Sequence, residues 1–267
     1  MRYALVVLAL LFLSPLSAQA ALTDNLVSYW KLDEASGNAA DSVGSNTLTN
    51  NNTVPFSAGK INNGADFEDA DAESFSITDA AQSGLDFSDE FTVAFWYKPE
   101  SVPVASIVFL NKWLASGNQR SYEALVSPAV DTGNIRFTVT WSTTGAGGGS
   151  TNQVAIESGT HFDADTWHHL AVTKSGTSVT AYVNAVGASG SGSNGTIFNG
   201  SADIYVSSAG GAGNFIDGMA DEYGLWSRAL SSAEIEELYN AGSGCSYPFS
   251  CAVEEPLIKV PDLIFFN

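Results

Sequence analysis

A period of two runs through most of this chain. Segments 27–32, 75–78, 91–97, 107–113, 135–141, 154–157, 167–173, 179–184 and 204–207 place every second side chain on one face, as strands with two distinct sides require. Turn clusters such as Ser36-Gly37-Asn38 and Lys174-Ser175-Gly176, and the glycine-rich stretch 145–149, separate them. Short strands at regular intervals, with no helices alternating between them, argue against an α/β fold. They predict an all-β protein, a two-sheet antiparallel sandwich or jelly roll. With 45% of residues hydrophobic and 11% aromatic, the chain can fill the core of one.

One short helix is predicted near the carboxyl end, in LSSAEIEELYNAG. Ser231 and Glu234 have the spacing of a capping box, and Leu230 and Ile235 that of a hydrophobic staple. Ile235, Leu238 and Tyr239 fall on one face, and Gly242 is the expected stop. Just beyond it, Cys245 and Cys251 bracket CSYPFSC, and a local disulfide is the expectation in an oxidising compartment.

That compartment is suggested by the amino end. Arg2, an apolar run over 3–13 and the small-residue site Ala18-Gln19-Ala20 read as a signal peptide cleaved before Ala21. The chain then divides into a leader at 1–20, one sandwich domain at 21–244 and a tail at 245–267 carrying the cysteine pair. The expected location is outside the cytoplasm: secreted, on the cell surface or in the periplasm. A formal net charge of -19 argues against nucleic acid and anionic membranes as partners and favours cations, calcium above all. The apolar cluster at 263–266 is far too short to span a bilayer, so no membrane insertion is expected after cleavage.

Several blocks recur in a known order: LVSYWKLDEASG with Asp41-Ser42 after it, GKINNGADFEDADAESFSI, FTVAFWYKP, DTWHHLAVTKSG, VTAYVN and IDGMADEYGLWSRALSSAEIEELYNAG. Together they cover 22–242 and resemble the laminin G-like jelly rolls of the concanavalin A-like lectin and glucanase superfamily. The resemblance implies two antiparallel sheets with the first strand near the strand carrying Asp221. It implies a carbohydrate-binding or adhesion module, in many cases one that holds calcium. Hydrolases share the fold, so the residues must decide.

Three sets of residues are candidates. Asp69, Asp71 and Glu73 alternate, which on one strand face would resemble the catalytic carboxylates of retaining glucanases. Their spacers, Ala70 and Ala72, and the aspartate in first place depart from that pattern. The same acidic residues suit calcium, a hard cation that takes six to eight oxygen ligands, and Asp69, Asp71 and Asp221 are the metal candidates, with Asp33 and Asp41 at the closing edge. Trp113, Tyr122 and Trp141, at strand ends or near glycine-rich loops, are candidate plates for a sugar ring, with Asn118, Gln119 and Arg120 nearby. His168 and His169 are adjacent in a predicted strand and point to opposite faces, which favours structural roles over a shared metal. The leading expectation is a non-catalytic module that binds a glycan or an extracellular protein and is stabilised by calcium. The alternatives are a glycoside hydrolase on the same sandwich and a structural protein of surface assembly.

Overall fold

The computed structural model describes residues 21–129 and 132–251; the leader at 1–20 and the segment 252–267 lie outside the described residues. The strands are β1 (Leu26–Trp30), β2 (Thr49–Asn51), β3 (Phe56–Ala58), β4 (Asn63–Phe67), β5 (Ser74–Ile77), β6 (Phe91–Pro99), β7 (Ile107–Leu114), β8 (Gln119–Pro128), β9 (Asn134–Ser142), β10 (Thr151–His161), β11 (His168–Ser175), β12 (Ser178–Val183), β13 (Val186–Ser191), β14 (Ile204–Val206) and β15 (Gly218–Trp226). A single α-helix, α1 (Ser232–Tyr239), follows β15. One sheet runs β13-β12-β11-β6-β15-β4-β3, with β1 also paired to β15; the other runs β10-β9-β8-β7-β14-β5-β2. All strand pairs are antiparallel. This is the expected two-sheet jelly-roll sandwich, and the first strand lies beside the strand that carries Asp221.

The core lies between the sheets, where strand parity directs it. Phe91, Val93, Phe95 and Tyr97 of β6 face Phe109, Tyr122, Phe137, Val139 and Trp141 of the second sheet in one buried cluster. β6 is also covered on its other side, as is β15, so β15 reads as a nearly unbroken buried run without alternation. That hid β15 from the period-two pattern, although the block GMADEYGLW contains it.

The covering layer on the outer face of the first sheet comes from both ends of the domain. Leu22, Leu26, Leu230, Ile235 and Leu238 pack on Tyr29, Ala94, Ala171, Tyr182 and Trp226, and Tyr247 and Phe249 of the disulfide loop close over the edge. Each fully buried leucine or isoleucine there contributes about 1.5–3 kcal/mol. The capping box is present: the Ser231 hydroxyl accepts from the Glu234 amide and the Glu234 carboxylate accepts from the Ser231 amide at 2.8 Å. The helix ends at Asn240, which takes the left-handed conformation, rather than at Gly242, which lies two residues beyond. Cys245 and Cys251 are bonded, and the loop they close sets Phe249 edge-on against Tyr29 at 5.3 Å.

Buried polar groups tie the loops to this frame. The Lys174 ammonium donates to the carbonyls of Asp89, Gly176 and Gly195 at 2.6–2.8 Å and lies 4.7 Å from the Trp141 ring. Lys112, equally buried, pairs with Asp79 and Asp86. Both histidines of β11 are buried structural residues: Nε2 of His168 accepts from the Asp163 amide, and burial pushes the His169 pKa down to about 3. Among the described residues, no helix is long and apolar enough to cross a membrane.

Candidate functional site

Two of the three aromatic residues nominated as sugar plates belong to the core. Tyr122 and Trp141 are wholly buried; the Tyr122 hydroxyl donates to the Leu85 carbonyl and the Trp141 indole N–H to the Asn194 carbonyl. Their parity decides it, since Tyr122 aligns with Ala124 and Val126, and Trp141 with Phe137 and Val139. Trp113 is half-buried, with the Arg120 guanidinium 5.9 Å from its ring.

The acidic candidates also separate. Asp69 and Asp71 sit on an exposed 3-10 turn, not on a strand face, so the alternating geometry of a glucanase does not form. Glu73 is buried, and its Oε2 accepts from the Glu68 amide at 2.8 Å. Asp221 is fully buried and accepts three backbone N–H bonds, from Lys60 (2.8 Å), Ile61 (2.9 Å) and Glu222 (2.8 Å). Asp41 accepts from the amides of Tyr29, Val43 and Asn46, and Asp33 from that of Asn63. These aspartates organise loops: Asp221 and Asp41 each accept three backbone amides, and Asp221 does so fully buried.

A different carboxylate group assembles at the rim, and strand register explains it. Gly218 pairs with Phe67 on one side and with Pro99 on the other. The next position along all three strands therefore sets Glu68, Asp217 and Glu100 in line. One oxygen from each lies within 4.8 Å of the others. Glu100 is the main cause raising the Glu68 pKa, as expected of like charges held together. A cleft of about 290 Å³ adjoins the group, lined by Asp69, Tyr97, Val102, Val104, Phe215 and Asp217. Sequence reasoning missed this trio because its members are 32 and more residues apart; only the pairing of blocks ending in Phe67, Pro99 and Gly218 reveals it.

The second feature is the outer face of the second sheet. The first sheet is covered by α1 and the disulfide loop, whereas on this face no helix packs among the described residues and only the turn carrying Gly211 lies against the Tyr205 ring. Cross-strand partners run in one line through all seven strands: Gln153 with Thr140, Thr140 with Glu123, Glu123 with Asn111, Asn111 with Tyr205, Tyr205 with Ser76 and Ser76 with Thr49. Each of these alternates with an inward core residue, such as Val139, Leu110, Ile204 or Phe75. The line is thus a continuous polar row on the outer face. Asn111 Nδ2 donates to Glu123 Oε2 at 2.6 Å and fixes that carboxylate, whose pKa burial raises. Beside it runs a more apolar row, with Ala155, Thr138, Leu125 and Val108 as partners in turn.

The face holds the wrong carboxylates for glycoside hydrolysis. Its strands present Glu123 and Glu157, four residues and two strands apart in register, roughly 16 Å by strand geometry. Retaining and inverting pairs need about 5–5.5 Å and 6.5–9.5 Å.

Comparison with known proteins places this geometry. A family model described as the concanavalin A-like lectin/glucanases superfamily matches residues 69–236. No curated protein matches the sequence. Among solved structures, domain 4 of AbnA, a GH43 extracellular arabinanase from Geobacillus stearothermophilus solved in complex with arabinotriose, is similar with a TM-score of 0.59 at 18% identity, covering 80% of this chain and 97% of that one. The binding domain of Paraclostridial Mosquitocidal Protein 1 is similar with a TM-score of 0.62 at 18% identity, over 82% of this chain and 52% of that domain. A Trypanosoma rangeli sialidase matches with a TM-score of 0.57 at 15% identity, over 84% of this chain and 34% of the sialidase. At these identities the likenesses concern the fold.

Proposed function

Because the chain belongs to the concanavalin A-like lectin/glucanases superfamily, we propose that it is an exported, non-catalytic module that binds a glycan on the open face of its second sheet. The observation that carries this is the polar row from Gln153 to Thr49, laid across seven strands on the sheet face that no helix covers among the described residues. Sugars present hydroxyls along their edges and C–H groups on their faces, and a polar row beside an apolar one matches both. The disulfide fits an oxidising location. AbnA domain 4, of the same fold, was solved with arabinotriose, and a botulinum neurotoxin DC binding domain was solved in complex with SialylT.

The test is a glycan screen followed by titration of the best binder against the Glu123→Ala variant. Loss of a hydrogen bond to a charged group is expected to weaken binding by about tenfold or more. The variant also takes the acceptor from the buried Asn111 amide, so a fall in melting temperature of a few degrees is expected, and affinity is titrated well below it. Unaltered affinity in the variant would remove the face from the account.

Calcium belongs to the same proposal. Glu68, Glu100 and Asp217 offer only hard oxygen donors, close enough to share one cation, and their mutual repulsion would be relieved by it. A cation at one hundred times its dissociation constant stabilises by about 2.7 kcal/mol. Millimolar calcium should therefore raise the melting temperature by several degrees over chelator, and Glu100→Gln with Asp217→Asn should abolish the difference. Identical melting in calcium and chelator would contradict it.

A further inference from the structure

The two sheets end on β13 and β3 and on β10 and β2, and three of these four ends are blunted. β2 and β3 are only three residues long, and β10 carries Glu157 and shifts register between Glu157 and His161. β13 has none of these devices. Its six residues, VGASGS, pair with β12 in unbroken register and contain no charge and no proline. The turn at Asn184 and Ala185, both with positive φ, makes Val183 and Val186 a hydrogen-bonded pair. Bonding alternates from there along the hairpin, so Gly187, Ser189 and Ser191 turn their N–H and C=O groups away from β12. Among the described residues those groups have no backbone partner.

Charge marks the same edge. The chain has 29 acidic and 10 basic residues and a net charge of -19, yet 175–202 contains no Asp, Glu, Lys, Arg or His. That stretch holds β12, β13 and the loop after them. Two copies of so acidic a chain repel one another, and least where neither presents a charge. The side chains there are also small. Ala188 and Gly190 face the core, Gly190 against Val154 and Ile156, while the exposed Ser189 bonds its hydroxyl to that of Thr180 at 2.9 Å.

From these observations we infer that β13 is a docking edge for a second copy of this chain, the two β13 strands pairing antiparallel about a two-fold axis at Ser189. In that register Ser189 meets its own mate, and Gly187 meets Ser191 of the other copy. Each of the three pairs exchanges two backbone bonds, about six in all. A second copy fits because a two-fold contact uses the same residues on both sides, and here it brings no charge against its like. Backbone bonds with few large side chains bury little area, so the dimer is weak and reversible, with a dissociation constant on the order of 10–100 µM. The edge belongs to the first sheet, so the inference is independent of the glycan face on the second.

The experiment is sedimentation equilibrium of the purified chain from about 5 µM to about 500 µM, a range that brackets the expected constant. The average mass should rise from that of one copy towards that of two. Raising sodium chloride from about 0.05 M to about 0.5 M should tighten association several-fold, because it screens the repulsion of two acidic chains. Ser189→Lys and Ser189→Glu each set a charge against its own mate across the axis and should weaken association by about fivefold or more. Ser189 is exposed, so both variants should melt like the wild type. An equimolar mixture of the two variants pairs lysine with glutamate and should recover the wild-type association. A monomer at every concentration, association that weakens with salt, unchanged association in both variants, or no recovery in the mixture would overturn the inference.

Discussion

Replacing Asp221 with alanine is expected to cost about 3–5 kcal/mol of stability, because three backbone N–H groups then lose their acceptor in the interior. The donors are Lys60, Ile61 and Glu222, so the damage would spread from β15 to the loop before β4. Burial, reinforced by the Glu222 charge, pushes the Asp221 pKa up to about 9 against those amides. Removing the carboxyl relieves that burden and keeps the net cost below the sum of three lost bonds. For a domain of this size the loss corresponds to a fall in melting temperature of roughly 10 °C. Urea unfolding with and without calcium is the check. The same loss should appear in both, since Asp221 serves amides; a loss confined to the calcium-loaded protein would restore it as a metal ligand.

A second large effect should appear in the pH dependence of Glu222. Its Oε2 accepts from the Tyr29 hydroxyl at 2.6 Å, its Oε1 is buried without a partner, and burial raises its pKa to about 7. A carboxyl raised above its unfolded value binds its proton more tightly when folded. Its stabilising contribution is therefore complete below about pH 4.5 and lost as pH rises through about 7, a change of about 2–3 kcal/mol between pH 5 and pH 8. Asp221 works in the same direction up to about pH 9. His169, which shares the small space beneath the disulfide loop, works oppositely, since its depressed pKa favours the fold above the unfolded value of 6.5. The comparison of wild type with Glu222→Gln cancels the His169 contribution and most of that of Asp221, whose shift comes chiefly from burial. Relative to the variant, the wild type should lose about 2–3 kcal/mol from pH 5 to pH 8 in urea unfolding; parallel curves would contradict the assignment.

The sandwich itself was legible because alternation survives wherever one face of a strand meets the core and the other does not. β9 and β10 could be read in this way, and the capping box of α1 could be read from Ser231 and Glu234 alone. β15 could not, being buried on both sides. The site was much less legible. Gln153, Thr140, Glu123, Asn111, Tyr205, Ser76 and Thr49 come from seven strands spread over most of the domain, and no local motif links them; only register places them in line. The carboxylates of Glu68, Glu100 and Asp217 are brought together by register as well. Proximity to glycine-rich loops, which nominated Tyr122 and Trp141, proved a weaker guide than strand parity, which assigns both to the core.

The central claim is that this sandwich binds a glycan without cleaving it. Its most direct test is to incubate the purified chain with the tightest-binding neutral glycan while measuring both saturation and the release of reducing ends. Saturable binding that falls about tenfold in Glu123→Ala, with no reducing ends released, is the predicted result. Reducing-end release that disappears in Glu73→Gln would contradict it.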